Sequence, residues 1–241
     1  MRAAAFATAL AALAPNLAAA QDGSRFSPPP GCTGHLTVQF KGCMVMNVWT
    51  CEDDPAGHQW SALFTDDGPS RLRRVDAEFQ WLETYQFNPV RTETMVQPAP
   101  DPESLTVLFD EAFDTYDFTI ASEPDIYGTG PLRFVGYDRL TGDEVRIDGE
   151  PLLRTEYAYD VILADGTVLY TAEGRQFVST RHRLFFFGES WDATSPLQVT
   201  DKSPVEFIYE GEPGFFSPHP KYDCGTVMSQ AGTLIPAGGQ P

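Results

Sequence analysis

A serine and a histidine are the first candidates for catalytic chemistry. The segment GESWD at 188–192 begins like the G-x-S-x-G turn that exposes a hydrolase nucleophile, but it ends in Asp and lacks a strand-to-helix pattern. His182 lies between Arg181 and Arg183, whose charges disfavour an imidazolium, and no carboxylate stands beside it in sequence. We interpret Ser190 as part of a strand-end turn and His182 as a surface or strand-end residue, and we assign no catalytic residue.

Four cysteines offer a second chemistry: Cys32, Cys43, Cys51 and Cys224. An even number of cysteines in an exported chain favours two disulfides. Zinc binding is the alternative, but there is no C-x2-C pair and the four histidines lack ligand spacing. Without a C-x-x-C motif, a structural role is favoured over redox catalysis.

A predicted hairpin selects the disulfide connectivity. Lys41-Gly42 can form a two-residue turn, which pairs Phe40 with Cys43 and Cys32 with Cys51. This register places one set of residues on a single face: Leu36, Val38, Phe40, Cys43, Val45, Trp49 and Cys51. The other face carries His35, Thr37, Gln39, Lys41, Met44, Met46 and Val48. We therefore predict the disulfide Cys32–Cys51, which leaves Cys43–Cys224 to join the C-terminal segment to the first strands.

Acidic residues are numerous but form no recognisable metal motif. Clusters at 52–54, 66–67 and 110–111, together with Asp114, could supply oxygen ligands for Ca²⁺, yet none fits D-x-[DN]-x-[DN]-G. Solvated turns and helix faces explain all of them. With 34 acidic residues, no pair can be selected as the two carboxylates of a glycosidase. We expect no metal and no cofactor.

Aromatic residues are the best candidates for ligand contact. Leu184 to Phe187 must present rings to both faces of its strand, and one face of a cupped sheet can line a cavity. The proposed ligand-binding residues are Tyr157, Tyr159, Phe185, Phe187 and Trp191. The alternative is that a helix at 102–113, or a second sheet, covers this face.

The elements that would position these residues are mostly strands. Apolar and polar residues alternate along 72–87 and, after the helix, along several segments separated by turns. The later candidates are 116–122, 132–140, 144–148, 152–164, 167–180, 183–188 and 205–209. The chain shows no alternation of strands and helices, so we predict a mainly β fold: an antiparallel meander forming a barrel or a sandwich.

Asp165-Gly166 predicts the register of one hairpin. The expected pairs are Leu163 with Val168, Val161 with Tyr170, Tyr159 with Ala172, Asp160 with Thr171, and Glu156 with Arg175. This register keeps apolar and polar residues on separate faces and brings opposite charges together.

A single helix is predicted at 102–113. Pro98 to Pro100 marks a break before it, Asp101 can cap it, and Pro102 suits its first position. Leu105, Leu108 and Phe109 share one face.

Residues 1–20 resemble a signal peptide, with Arg2 before an apolar run and Ala18 to Ala20 before the expected cleavage at Ala20-Gln21. We expect a single β-rich domain at 21–231, a loose tail at 232–241, and no membrane-spanning segment in the mature chain. The predicted location is periplasmic or extracellular.

The charge balance narrows the choice of partner. The 241 residues contain 34 acidic and 16 basic side chains, giving a net charge of −18. Such a surface disfavours nucleic acid and anionic lipid as partners. A hydrophobic fraction of 42% excludes an acidic disordered chain.

We therefore predict an exported, soluble, non-catalytic binding or envelope-associated protein. Its expected partner is a small apolar or amphipathic ligand in a barrel-like cavity, or an envelope component. The alternatives are a secreted hydrolase of glycosidase or esterase type and a carbohydrate-binding module. The oligomeric state stays open.

Overall fold

The computed structural model describes residues 25–225. The predicted signal peptide at 1–20 and the predicted tail at 232–241 lie outside the described residues. Within them, thirteen β-strands and one short α-helix form the regular structure, which confirms the mainly β prediction.

The strands are β1 (Cys32–Phe40), β2 (Met44–Cys51), β3 (Gln59–Thr65), β4 (Gly68–Val75), β5 (Trp81–Phe87), β6 (Val90–Asp101), β7 (Phe113–Glu123), β8 (Leu132–Ile147), β9 (Glu150–Ile162), β10 (Val168–Ser179), β11 (Leu184–Asp192), β12 (Thr200–Asp201) and β13 (Pro204–Ile208). The helix α1 (Leu105–Glu111) lies between β6 and β7.

All of these strands form one antiparallel sheet. Strands β1 to β12 follow each other in sequence order, and β13 lies beside β1 at the far edge. The antiparallel meander is thus confirmed. The barrel is wrong, because β12 and β13 are the edges of the described sheet and share no ladder.

Only two residues connect those edges. The Lys202 amide donates to the Gly188 carbonyl of β11, and the Lys41 amide donates to the Ser203 carbonyl. The sheet is therefore curled so that its two edge strands lie close together. Residues 202 and 203 join them, but β12 and β13 do not pair with each other.

The sheet folds back on itself, and its first strands pack against its last. Leu36 and Val38 of β1 share one core cluster with Phe177 of β10, Phe186 of β11 and Phe207 of β13. The rings of Phe186 and Phe207 meet edge to face, with centroids 5.2 Å apart. Burial of such side chains contributes roughly 1.5–3 kcal/mol each. This face-to-face packing is the sandwich-like part of the fold.

The β1–β2 turn is one residue longer than predicted. Phe40 pairs with Met44, so the turn is Lys41 to Cys43, and the pairing of Phe40 with Cys43 is wrong. Gly42 and Cys43 have φ angles of 71° and 55°. Glycine adopts this region freely, whereas Cys43 is held there by its tertiary contacts.

A second irregularity lies between Gly34 and Leu36 and restores the predicted pairing of Cys32 with Cys51. Between the two irregularities, the side chains of β2 point to the opposite face of the sheet from the one predicted relative to β1. The reason is that a one-residue slip in register reverses the side-chain direction of a strand. Met44, Met46 and Val48 lie in the same cluster as Leu36, Val38 and Phe40. Val45 and Trp49 belong to a different cluster, with Cys32 and Cys51 packed against it.

The polar face of β1 is buried beneath the chain that follows β13. Thr37 and Gln39 are fully buried. Thr37 Oγ1 accepts from the Phe216 amide at 2.8 Å, and Gln39 Oε1 accepts from the Lys221 amide at 3.0 Å. A Cβ at Gly34 would meet the Phe216 ring at 2.4 Å, so only glycine permits this approach. These polar side chains satisfy a buried loop instead of facing water.

Two disulfides are present, and no described cysteine is free. Cys32 is joined to Cys51 and Cys43 to Cys224, with sequence separations of 19 and 181. The long-range disulfide fixes the C-terminal loop at the β1–β2 turn, where the Cys43 amide also donates to the Tyr222 carbonyl.

The β9–β10 register follows the prediction beyond one irregularity. The confirmed pairs are Val161 with Tyr170, Asp160 with Thr171, Tyr159 with Ala172, and Glu156 with Arg175. Nearer the turn the prediction is wrong, because Val168 pairs with Ile162 and the register shifts before Tyr170.

The helix is shorter than the predicted 102–113 at both ends, since it runs from Leu105 to Glu111 and Phe113 already begins β7. Ser104, not Asp101, is its N-cap and accepts from the Val107 amide at 3.2 Å. Asp101 still pairs with Asp117, so β6 runs through the predicted break at Pro98 to Pro100. Tertiary pairing of β6 with β7 therefore outweighs the local capping signal.

The predicted strand over 72–87 is two strands, β4 and β5. Asp76 Oδ1 accepts from the amides of Glu78 and Gln80, both at 2.9 Å, and Phe79 has a φ of 70°. This carboxylate-centred turn changes the chain direction while the apolar alternation continues.

Candidate ligand-binding site

Four of the five predicted ligand-binding residues meet in the interior. Tyr157 and Tyr159 of β9 and Phe185 and Phe187 of β11 line a cavity of about 210 Å³ between the folded halves of the sheet. We call it the inner cavity. Trp191 does not line it and lies instead in a neighbouring cleft.

An adjoining chamber of about 90 Å³ shares Arg71, Arg73 and Trp81 with the inner cavity. Together the two spaces reach the lower end of the range for small-molecule sites. The aromatic face of β11 is predicted either to line a cavity or to be covered by the helix, and in the structure it does both. Phe185 packs with Leu105 and Leu108 of the helix and also borders the cavity.

Aromatic rings from three strands form one wall. Trp81 of β5 contacts Phe118 of β7 and Phe134 of β8 edge to face, with centroids 5.8 and 6.1 Å apart. Phe118 and Phe134 stack at 5.3 Å. Each ring is held by its neighbours, so the apolar surface is preformed.

Arg71 and Arg73 of β4 are the residues that sequence reasoning missed. The Arg73 guanidinium lies 4.0 Å from the centre of the Trp81 ring, and its Nε donates to Thr84 Oγ1 at 3.0 Å. The Arg71 guanidinium lies 5.3 Å from the Phe187 ring centre. Both arginines therefore face aromatic rings within the cavity wall.

Within residues 25–225, neither of these arginines forms an ion pair, although the adjacent Arg74 pairs with Asp54 at 3.5 Å and Glu83 at 3.6 Å. Glu93 acts on both cavity arginines, and Glu103 on Arg73, through charge alone and without an ion pair. Glu93 Oε1 is bound by Arg91 at 2.7 Å. Burial lowers the pKa of Arg71, and lowers that of Arg73 strongly with help from the charge of Arg71. Arginine still stays charged at neutral pH.

A signal for these arginines exists in the sequence. Arg71 and Arg73 share the strand parity of Val75, which lies on the face predicted to be buried. Charged residues on the buried side of a strand mark a cavity, an ion pair or a functional site.

Two carboxyl groups also line the inner cavity. Glu103 and Asp138 are both buried. Burial raises the pKa of Asp138 to about 7, against a hydrogen bond from Gln176 Nε2 at 2.8 Å. Burial, and then the charges of Asp138 and Asp114, raise the pKa of Glu103 well above its ordinary value.

These shifts give the inner cavity a sign opposite to that of the protein. Below about pH 7 the Asp138 carboxyl is mostly protonated, and the raised pKa of Glu103 favours its protonated form too, so the carboxyls offset the arginines least in this range. A chain of net charge −18 thus encloses a positively charged, aromatic cavity.

His182 has the carboxylate partner that the sequence did not place beside it. Its Nε2 lies 3.4 Å from Glu150 Oε1 and 3.3 Å from the Tyr209 hydroxyl, which donates to Glu150 Oε2. Arg181 Nη1 reaches the same Oε2 at 3.1 Å. The His182 side chain is 8% exposed, and burial lowers its pKa to about 4. The group joins β9, the segment after β13 and the β10–β11 turn around a neutral, buried imidazole.

Ser190 lies within β11 and pairs with Gly174 and Thr200. It is therefore not on a strand-to-helix turn of the nucleophile-elbow type. The interpretation of 188–192 as a strand-end turn is also wrong, since β11 continues to Asp192.

Among residues 25–225, no cluster of three or more His, Cys, Asp or Glu is placed to hold a metal ion. Nor does this part of the chain contain a helix long and apolar enough to cross a membrane. Comparison of the chain with protein families, curated proteins and solved structures finds no match. Function must therefore be inferred from the site itself.

Proposed function

We propose that this protein is an exported, non-catalytic binding protein that holds a small amphipathic anion in the inner cavity. The anionic group pairs with Arg71 and Arg73, and the apolar body lies against the rings of Trp81, Phe118 and Phe187. The observation that carries this proposal is the pair of cavity arginines that face aromatic rings and, in the described chain, form no ion pair at contact distance.

Arg71 and Arg73 are half-buried against the cavity wall, and a bound anion would offset the cost of holding two adjacent cations there. A buried charge is normally paired, because its desolvation costs several kcal/mol. Carboxylate and phosphate groups match the planar donor set of a guanidinium. The preformed aromatic wall would take the apolar part without further ordering.

Export is supported by the disulfides and by the signal-like residues 1–20. Disulfides persist in oxidising compartments, and here one of them closes nearly the whole described domain. We propose a periplasmic or extracellular location, with a soluble metabolite or an envelope component as the source of the ligand.

The test compares octanoate with octanol, which has the same chain and no charge, by calorimetry and tryptophan fluorescence. We expect octanoate to bind more tightly by about ten- to a hundredfold, the value of one or two charge-assisted hydrogen bonds. Arg71→Gln and Arg73→Gln should each remove most of this difference. Arg146→Gln is the matched control, because Arg146 is exposed on β8.

Each cavity variant removes a half-buried charge together with its ring contact, so its thermal midpoint is measured beside its affinity to separate loss of binding from unfolding. Equal affinities for octanoate and octanol, or unchanged octanoate binding in both cavity variants, would contradict the proposal.

A hydrolase is the second candidate, because Glu103 and Asp138 line the same cavity. Hydrolysis of a glycosidic bond requires one carboxylate to be ionised while the other donates a proton. Here burial raises both pKa values, which disfavours the ionised carboxylate that the reaction needs. We rank binding first. Release of a fluorophore from umbelliferyl glycosides, lost in Asp138→Asn, would reverse that order.

A further inference from the structure

A second concave site lies next to the inner cavity. It has a volume of about 360 Å³ and is formed by β9, β10, β11, β12 and the loop before β12. We call it the outer cleft. Its lining residues are Tyr157, Tyr159, Tyr170, Thr171, Ala172, Ser190, Trp191, Asp192, Gln198 and Thr200.

Four aromatic side chains, from three neighbouring strands, line the outer cleft. The rings of Tyr157 and Tyr159 are nearly parallel, with 19° between their planes and centroids 5.9 Å apart. Tyr170 meets Tyr159 edge to face at 6.4 Å and is 41% exposed. These rings present apolar surface in a site that is accessible from outside.

Trp191 is held in place by polar contacts beyond the cleft. Its Nε1 donates to Glu173 Oε2 at 2.9 Å, and the Arg175 guanidinium lies 5.7 Å from its ring centre. Because the indole N–H is already used, the ring contributes apolar contact to a ligand, not a hydrogen bond. This arrangement accounts for the one predicted ligand-binding residue that the inner cavity leaves out.

The polar groups of the outer cleft are hydroxyls, an amide and one carboxylate. Asp192 uses Oδ1 to accept from the Thr194 amide at 2.7 Å. Gln198 and Thr200 add a carboxamide and a hydroxyl. No Lys, Arg or His is among the described residues that line the site. Such a donor and acceptor set suits a neutral polyhydroxylated ligand and disfavours an anion.

We infer that the outer cleft is a binding site for a neutral oligosaccharide. The C–H faces of sugar rings pack on tyrosine and tryptophan rings, while sugar hydroxyls can donate to Asp192 and pair with Gln198 and Thr200. The inference goes beyond the anion site, because the two sites share only Tyr157 and Tyr159 and differ in charge.

The experiment titrates the full mature protein with soluble hexasaccharides of glucose (β-1,4, α-1,4 and β-1,3) and of N-acetylglucosamine, by calorimetry and NMR. We expect at least one of these sugars to bind and Tyr170→Ala or Gln198→Ala to weaken it about tenfold. Tyr170→Phe, which keeps the ring, should retain most of the affinity. Tyr127→Ala is the matched control, because Tyr127 is 67% exposed and lies outside the cleft.

The two proposals fail separately. Arg73→Gln should leave sugar binding unchanged, and Gln198→Ala should leave octanoate binding unchanged. If none of the four sugars binds, or if the Tyr170 and Gln198 variants bind like Tyr127→Ala, the oligosaccharide site is overturned. If sugars do not bind while Tyr170→Ala weakens octanoate, the cleft is instead the mouth of the inner cavity. Sugar binding without octanoate binding would remove only the anion site.

Discussion

At the scale of single residues, the most informative groups are charged side chains that the strand pattern sends inward. Arg71 and Arg73 keep their charge in an aromatic cavity, while burial moves Glu103 and Asp138 towards the protonated state. Desolvation lowers the pKa of an arginine and raises the pKa of a carboxyl group. The arginines nevertheless stay charged, because their ordinary pKa lies far above neutral pH. The outcome is a positive site inside an acidic protein.

Asp138 gives a pH-dependent prediction. Its pKa rises on folding from an ordinary value near 3.8 to about 7. The folded state therefore binds more protons between these values, and stability contributed by the protonated carboxyl is lost as pH rises through about 7. We expect Asp138→Asn to raise the free energy of unfolding by roughly 2–4 kcal/mol at about pH 8, and by less at about pH 5.

Denaturant titrations at the two pH values measure this effect. The amide introduced at position 138 can still accept from Gln176, so the substitution removes the charge and keeps the hydrogen bond. Asp53→Asn, in an exposed loop, is the control for the chemical change itself. A gain for Asp138→Asn that is equal at both pH values would contradict a buried, shifted carboxyl.

At the scale of elements, the short helix depends on a carboxylate that is remote in sequence. Glu78, in the turn between β4 and β5, accepts from the Thr106 amide at 2.8 Å and from Ser104 Oγ at 3.0 Å. Its Oε1 also accepts from Arg183 Nη2 at 2.8 Å. Burial opposes ionisation, but the bonds from Thr106 and Ser104 prevail and lower the pKa of Glu78. One side chain therefore ties three segments together.

Glu78→Gln is expected to destabilise the protein by about 1–2 kcal/mol, because it weakens charge-assisted bonds at the helix N-terminus and to Arg183. The partial exposure of Glu78 keeps this effect modest. Chemical denaturation measures it, with exposed Glu111→Gln as the control. Equal stability of the two variants would show that the Glu78 contacts do not hold the helix.

At the scale of the whole molecule, the C-terminal loop covers the polar side of the first hairpin. The Phe216 and Lys221 amides of that loop donate to Thr37 and Gln39, and Cys43–Cys224 fixes the loop in place. Loss of this disulfide would let water reach one core cluster. The other disulfide, Cys32–Cys51, only closes a hairpin that is already paired.

Removing Cys43–Cys224 by double substitution to serine should cost more stability than removing Cys32–Cys51. Loop entropy gives about 5 kcal/mol for the long loop and about 3 kcal/mol for the short one. Thermal denaturation of the two double variants provides the comparison. The opposite order would show that the C-terminal loop contributes little to the fold.

The sequence by itself determined the local features of this protein. Strand alternation and turn residues predicted an antiparallel meander, an even cysteine count predicted two disulfides, and Asp165-Gly166 predicted most of the β9–β10 register. The meander and the hairpin register depend on near neighbours, because side-chain direction alternates along a strand and a short turn fixes its partner.

Only the tertiary structure decided what lies opposite each face. One extra turn residue reverses which side chains of β1 and β2 share a face of the first hairpin. Strand β6 continues through Pro98 and Pro100, and the sheet does not close between β12 and β13. The tertiary structure also brought Glu150 to His182 and enclosed Arg71 and Arg73 with Asp138. The alternation of apolar and polar residues along a strand predicts the direction of each side chain. The charge, cavity or loop that the side chain contacts depends on residues distant in sequence. Desolvation and pairing at those contacts set the chemistry of the site.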